Sequence, residues 1–184
     1  MKQLPPITFI SGNAGKVHEL KTHLDFPIEH RKLDLPEIQS LEIKEVVTAK
    51  AQEAYKTLQK PVLVEDTAVT YKALGKLPGP FIKWFLLELG NEGICRLLNS
   101  FATREATVCV MYCLYDGKTF QIFEGIAEGT IADKPRGDEG FGWNSTFIPK
   151  GSDKTWGEMS LEERANTSAR YKAIKKLENY VKSH

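Results

Sequence analysis

Apolar and polar positions alternate between two periods along this chain, and the alternation lays out its elements. Ile7-Thr8-Phe9-Ile10 is a short β-rich apolar run, followed by the small-residue turn Ser11-Gly12-Asn13-Ala14-Gly15-Lys16. Val17, Leu20 and Leu24 then recur at helical spacing, so the opening reads strand, turn, helix. Phe26 to Leu33 predicts a second strand, and Asp34-Leu35-Pro36-Glu37 a loop, because Pro36 pushes its predecessor toward extended backbone. From Glu42 to Leu58 the positions Ile43, Val46, Val47, Ala51, Ala54, Tyr55 and Leu58 form one apolar stripe, which predicts a helix ended by Pro61.

The run Val62-Leu63-Val64 predicts a buried strand leading into Glu65-Asp66-Thr67, with a loop through Gly75, Pro78, Gly79 and Pro80 after it. Phe81 to Leu89 and Gly93 to Leu98 read as helices. Ala106 to Tyr115 and Thr119 to Ile131 are β-rich, and Asp116-Gly117 between them is a hairpin signal. Pro135 to Gly142 is a glycine-rich loop. Ser160-Leu161-Glu162-Glu163 is a capping box, predicting a helix from there to about Val181. The order β-α-β-α-β, an antiparallel section and a closing helix indicates an α/β chain with a mixed sheet, extended through a second lobe built on the hairpin. A cleft between two lobes is the expected ligand site.

Composition narrows the function classes. The chain has 184 residues, a length for one domain or two small lobes sharing a core. Lys and Arg total 25 against 24 Asp and Glu, a net charge of +1, which argues against a dedicated duplex-DNA binder. Met1 to Pro6 carries no apolar stretch before Ile7, so no leader is expected. The most apolar segment, Phe81 to Leu89, holds Lys83 and Glu88 and is far short of the roughly 20 residues of a membrane span. The expectation is a cytoplasmic protein. Cys95, Cys109 and Cys113 form no CxxC pair, and His18, His23, His30 and His184 are not spaced for zinc, so the thiols read as buried side chains.

Candidate chemistry sits at five places. At Ser11 to Lys16, unpaired N–H groups at a helix start, the helix dipole, two glycines and the Lys16 charge suit a phosphate, although the spacing is not that of a P-loop and a small-residue turn taken alone is more often plain structure. The adjacent Glu65 and Asp66 repel each other unless a cation lies between them, and Mg²⁺ uses one or two carboxylates together with substrate phosphates. Solvated loop acids are the plain alternative. Lys83, in an apolar run, either snorkels or serves a site. Phe141-Gly142-Trp143-Asn144 could stack on and read a base edge, or fill the core as an aromatic turn. Arg164 and Arg170, flanking Ser168, are taken alone a solvated helix face.

Together these stretches resemble the inosine triphosphate pyrophosphatase family. Ile7 to Lys16 is similar to its strand followed by T-G-N-x-x-K, Asp34 to Glu37 to its D-L-P-E, and Pro61 to Thr67 to its acidic strand. Leu77 to Leu86, L-P-G-P-F-I-K-W-F-L, matches the eukaryotic form closely. Phe141-Gly142-Trp143 is similar to F-G-[WY]-D, and Glu158-Met159-Ser160 through Arg170 to E-M-x-x-x-E-K-N-x-x-S-H-R.

The resemblance implies a single domain over residues 1–184: a mixed twisted sheet with flanking helices and two lobes around a deep central cleft, usually as a homodimer. It implies hydrolysis of non-standard purine nucleoside triphosphates to monophosphate and pyrophosphate. Ser11, Gly12, Asn13, Ala14, Gly15 and Lys16 would hold the triphosphate, with Lys50 and Lys83 adding charge. Glu37, Glu65 and Asp66 would surround Mg²⁺, or Mn²⁺, and Asp66 would activate the attacking water. Thr67 would touch substrate. Phe141, Gly142, Trp143, Asn144, Arg164, Ser168, Ala169 and Arg170 would line the base and sugar pocket.

Ser11 replaces Thr, Arg164 Lys, Asn144 Asp and Ala169 His. The last two fall where the base is read, which implies altered base preference more than altered reaction. The rival readings are a catalytically weak nucleotide-binding paralogue, and an RNA- or single-strand-binding module that the near-neutral charge disfavours.

Overall fold

The computed structural model describes residues 7–184; Met1 to Pro6, on which the absence of a leader was read, lie outside the described residues. The chain is α/β with a mixed sheet whose strands lie in the order β2 (Ile28–Arg31), β1 (Ile7–Ile10), β3 (Val62–Tyr71), β5 (Glu105–Tyr115), β6 (Phe120–Ile131), β7 (Phe147–Pro149). It divides into two compact units, residues 1–66, 110–125 and 170–184 in the first and 67–109 and 126–169 in the second.

The first unit opens with β1 (Ile7–Ile10), fully buried, α1 (Ala14–His23) and β2 (Ile28–Arg31). α2 (Ile43–Leu58) buries Val46, Val47, Ala51 and Ala54 from the expected stripe, and Gln59 ends it in the left-handed region at φ 52°. β3 (Val62–Tyr71) pairs parallel with β1, as β2 does on the other side. Parallel pairing requires crossover helices, which α1 and α2 supply.

β3 is ten residues long, so Glu65 and Asp66 lie within the strand and not at its end as the short apolar run suggested. Extended backbone continued because Ala68, Val69 and Tyr71 beyond the acids are also buried. The β5 (Glu105–Tyr115) and β6 (Phe120–Ile131) strands are joined at Asp116-Gly117 as expected. Asp116 accepts from the N–H groups of Lys118 and Thr119 at 2.9 and 2.7 Å. Gly117 has φ 92°, which strains any other residue, and a Cβ there would lie 2.3 Å from the Tyr55 ring and displace it.

α5 (Ala169–Ser183) closes the unit. On it Glu178, 6% exposed, binds Lys175 and Lys182 at 2.8 and 2.9 Å. Hydrogen bonds from Lys175, then Lys182, hold its carboxyl down at about 2. A depressed carboxyl contributes stability above its unfolded pKa of about 4.3, lost as pH falls toward 2. Both lysines are about half exposed, which limits the contribution through solvent screening. Glu178→Gln is expected to cost about 1–2 kcal/mol at neutral pH and almost nothing near pH 2, read by urea denaturation across pH. An equal loss at both ends of the range would reject the ion-pair account.

The second unit contains β4 (Pro78–Gly79), α3 (Ile82–Leu97), β7 (Phe147–Pro149) and α4 (Leu161–Ala165). Two helices were expected around Gly90, and Gly90 at φ 62° and ψ 178° breaks α3 there. The Ser160–Glu163 capping box forms, with reciprocal bonds of 3.2 and 2.8 Å. The single helix expected from it does not: α4 stops after five residues and α5 starts at Ala169. Asn166, Thr167 and Ser168 lie between, and such side chains compete with the helix for backbone groups. Thr167 Oγ1 donates to the Arg164 carbonyl and accepts from Trp156 Nε1. Cys95, Cys109 and Cys113 form no disulfide, and burial pushes the Cys95 and Cys113 thiols up to about 11 and about 12. Among the described residues no helix is long and apolar enough to cross a membrane.

Candidate functional site

In the first unit the turn Ser11 to Lys16 joins β1 to the N-terminus of α1. Asn13 is the N-cap: its Oδ1 accepts from the Lys16 N–H at 3.1 Å, and its own N–H donates to Ser11 Oγ at 3.2 Å. Asn13 is thereby occupied in building the turn. The N–H groups of Ala14 and Gly15 in the first helical turn have no carbonyl four residues back within the helix, and no acid lies in that turn to compete with an anion.

Two ion clusters belong to the same unit, and the first includes Lys16 of this turn. Glu65, its side chain fully buried, binds Lys16 of α1 at 3.2 Å and Arg170 of α5 at 3.4 Å. Arg170 also binds Glu19 of α1 at 3.1 Å. Burial opposes the Arg170 charge, but Glu65 and Glu19 outweigh it and raise its pKa. The Tyr112 hydroxyl is buried against the same group; burial first, then the Glu65 charge, keeps it protonated. The second cluster belongs to Asp66 and the loop before α2. Lys50 of α2 binds Glu37 at 2.7 Å and Asp66 at 3.4 Å. Burial weighs against its charge, and Asp66 and Glu37 more than restore it.

Adjacent strand residues point to opposite faces of a sheet. Glu65 accordingly meets α1 and α5, and Asp66 meets α2. The expected trio of Glu37, Glu65 and Asp66 does not gather: among the described residues no three His, Cys, Asp or Glu could hold a metal ion by themselves. Glu65 is an anchor for Lys16 and Arg170. Glu37 and Asp66 converge on one cation, Lys50, and are hard oxygen donors. They suit Mg²⁺ in the mode that uses one or two carboxylates and completes its shell with phosphate oxygens.

Arg170, expected with the base pocket, is buried in the first unit, where it binds Glu19 and Glu65. Ala169 is fully buried at the start of α5, so its methyl presents no open face to a base. Glu19 was missed altogether: three residues after Lys16 on a helix, it reads as an ordinary solvated charge.

In the second unit Thr67 is buried on β3. Lys83 is exposed with its Nζ 5.4 Å from the Trp84 ring centroid, so the lysine lies along an aromatic face. The loop ending at Gly142 folds Asn144 inward to 7% exposure and Arg164 to 6%. Gly140, at φ 78°, would carry its Cβ 2.2 Å from Asn144 Nδ2 and 2.8 Å from Arg164 Nη1, so carboxamide and guanidinium both press on this one glycine. Arg164 Nη1 also donates to the Trp156 carbonyl at 3.4 Å. Trp143 packs on Phe147 and Trp156, with centroids 6.2 and 5.8 Å away. Ser168 donates its N–H to the Arg164 carbonyl at 2.9 Å. A cavity of about 700 Å³ in this unit is lined by the Lys72–Glu105 and Lys150–Glu128 ion pairs and contains none of the expected substrate residues.

Residues 7–180 match the Ham1 family. The chain belongs to the Ham1 family.

Its relatives align over nearly their whole length. An inosine triphosphate pyrophosphatase of Schizosaccharomyces pombe is 44% identical over 187 aligned positions, covering 100% of this chain and 98% of the relative. One from Yarrowia lipolytica is 45% identical, covering 95% of each. Among solved structures, a HAM1 protein from Coxiella burnetii superposes with a TM-score of 0.85 at 24% identity, over 98% of this chain and 100% of that one. This last likeness bears on the Ham1 fold alone.

Proposed function

We propose that this chain hydrolyses non-standard purine nucleoside triphosphates such as ITP, dITP and XTP to the monophosphate and pyrophosphate. Its relatives' name supplies the activity. The observation that carries it to these residues is the grip of Lys50 on Glu37 and Asp66 at 2.7 and 3.4 Å, in the unit that also holds the anion-suited turn.

Ala14 and Gly15 donate backbone N–H groups to phosphate oxygens, and Lys16 and Lys50 offset their charge. Glu37 and Asp66 would hold Mg²⁺, or Mn²⁺, which supplies charge neutralisation to the phosphates when bound. Asp66 orients a water toward the α-phosphorus and accepts its proton. Glu65, with Arg170 and Glu19, keeps Lys16 in place. No Ser or Cys nucleophile is needed, because positioning and electrostatics carry phosphoryl chemistry.

Base recognition falls to Asn144 and Arg164, with Trp143 and Phe141 as stacking faces and Thr67 and Ser168 as further polar contacts. A buried donor facing a 6-oxo group is left unpaired by the 6-amino group of ATP, which is the basis for rejecting it. The protein acts as a cytoplasmic homodimer.

The test is pyrophosphate release from ITP, XTP, dITP, GTP and ATP, with products resolved by chromatography. Monophosphate and pyrophosphate from ITP are expected, with activity falling to background in excess EDTA and returning with added Mg²⁺. Full turnover in EDTA would remove the metal. Binding of ITP without hydrolysis would favour a nucleotide-binding paralogue, consistent with Asn144 and Ala169 standing where the family resemblance has Asp and His.

A further inference from the structure

β2 grips the turn at both polar groups of one residue. The Ser11 N–H donates to the Arg31 carbonyl at 3.1 Å, and the Ser11 carbonyl lies 2.9 Å from His30 Nε2. A carbonyl only accepts, so His30 carries a proton on Nε2 in this contact, as the neutral tautomer or the imidazolium. His30 stands opposite Phe9 in the parallel register, and the two rings are 6.4 Å apart at their centroids. Strand pairing and ring packing together set where the imidazole points.

The peptide unit is planar and trans, so the Ser11 C=O and the Gly12 N–H point in opposite directions. A bond that holds the first aims the second. Gly12 has no Cβ to resist rotation of that unit, so local sterics leave its orientation weakly determined. Lys16 and Lys50, held by their carboxylates, attract phosphate as compact charges whose rotatable N–H donors do not fix its direction. A fixed backbone donor does.

We propose that His30 is a positioning residue for the anion site: its Nε2–H clamps the Ser11–Gly12 peptide so that the Gly12 N–H is aimed at the phosphates of the bound triphosphate. This rests on the function proposed above. The role differs from that of Asn13, which caps α1, and from those of Lys16 and Lys50, which supply charge. His30 itself touches no substrate.

The experiment compares wild type, His30→Ala and His30→Gln. The Gln side-chain amide carries a donor at about the reach of Nε2, whereas Ala carries none. The probes are inorganic tripolyphosphate in calorimetric titration and ITP in steady-state kinetics. His30→Ala is expected to weaken tripolyphosphate binding and raise KM for ITP by about fivefold to tenfold, the effect of one hydrogen bond, with kcat within about twofold. His30→Gln is expected to stay within about twofold of wild type on both, as a donor at the same place should. The Gly12 amide resonance in a ¹⁵N–¹H spectrum should move in the Ala variant and return toward its wild-type position in the Gln variant. Equal tripolyphosphate affinity in wild type and His30→Ala overturns the proposal, as do a loss that Gln does not repair and a wild type that binds no tripolyphosphate. A wild type that binds tripolyphosphate and leaves ITP intact overturns the pyrophosphatase reading instead, and the comparison of affinities still decides the role of His30.

Discussion

Asp66→Asn is expected to lower ITP turnover by about 10²-fold or more, the effect of removing a positioned general base. The carboxamide keeps the shape of the side chain and can still accept from Lys50, which lies 3.4 Å from Asp66 Oδ2 and keeps Glu37 as a second partner at 2.7 Å. The fold should therefore survive, and a circular dichroism melt near that of wild type is the control. The amide cannot take a proton from water at neutral pH, and it offers a metal no charge. The fall should appear in kcat more than in KM, because Lys16, Lys50 and the backbone donors at the turn are untouched. A variant with wild-type kcat and an intact fold would move the base elsewhere.

Arg170→Met is expected to destabilise the protein by about 3–5 kcal/mol, read as a lower midpoint and extrapolated free energy in urea. Glu19 and Glu65 are 6% and 4% exposed, and Arg170 binds both. Methionine fills much of the volume but leaves two buried carboxylates with Lys16, bound to Glu65, as the cation of the group. Removing one partner from a buried ion pair costs far more than the pair contributes, because the remaining charge has lost its compensation. Adding Glu19→Gln to Arg170→Met should recover part of the loss, as it removes one of those charges. A loss under about 1 kcal/mol in the single variant, or strictly additive losses in the double, would mean the cluster is solvated in the folded protein.

Much of the architecture was legible because it rests on local rules. The α2 stripe, the Asp116-Gly117 hairpin, the Ser160–Glu163 cap and the break at Gly90 each follow from residues within one or two turns of one another. Where the reading slipped, the missing information lay elsewhere in the chain. β3 runs through Glu65 and Asp66 because Ala68, Val69 and Tyr71 beyond them are buried, and cations from α1, α5 and α2 compensate the two carboxylates within it. The last helix breaks after Ala165, where Thr167 bonds to Trp156 as well as to the backbone.

The candidate site divides in the same way. The sequence by itself determined that a small-residue turn opens a helix beside Lys16, that two adjacent acids follow a buried apolar strand, and that an aromatic glycine loop precedes the closing helical segment. These depend on residue type and spacing, which are properties of the string. Only the tertiary structure decided which carboxylate answers which cation. The alternation of a strand sends Glu65 and Asp66 to opposite faces, and the helices on those faces meet one acid each. Glu65 therefore becomes a buried anchor and Asp66 stays with Glu37 and Lys50. Arg170 joins the carboxylates because a guanidinium that is buried must be paired. Pairing at long sequence separation, 151 residues between Glu19 and Arg170, has no period and no local signature, so no pattern along the chain could announce it.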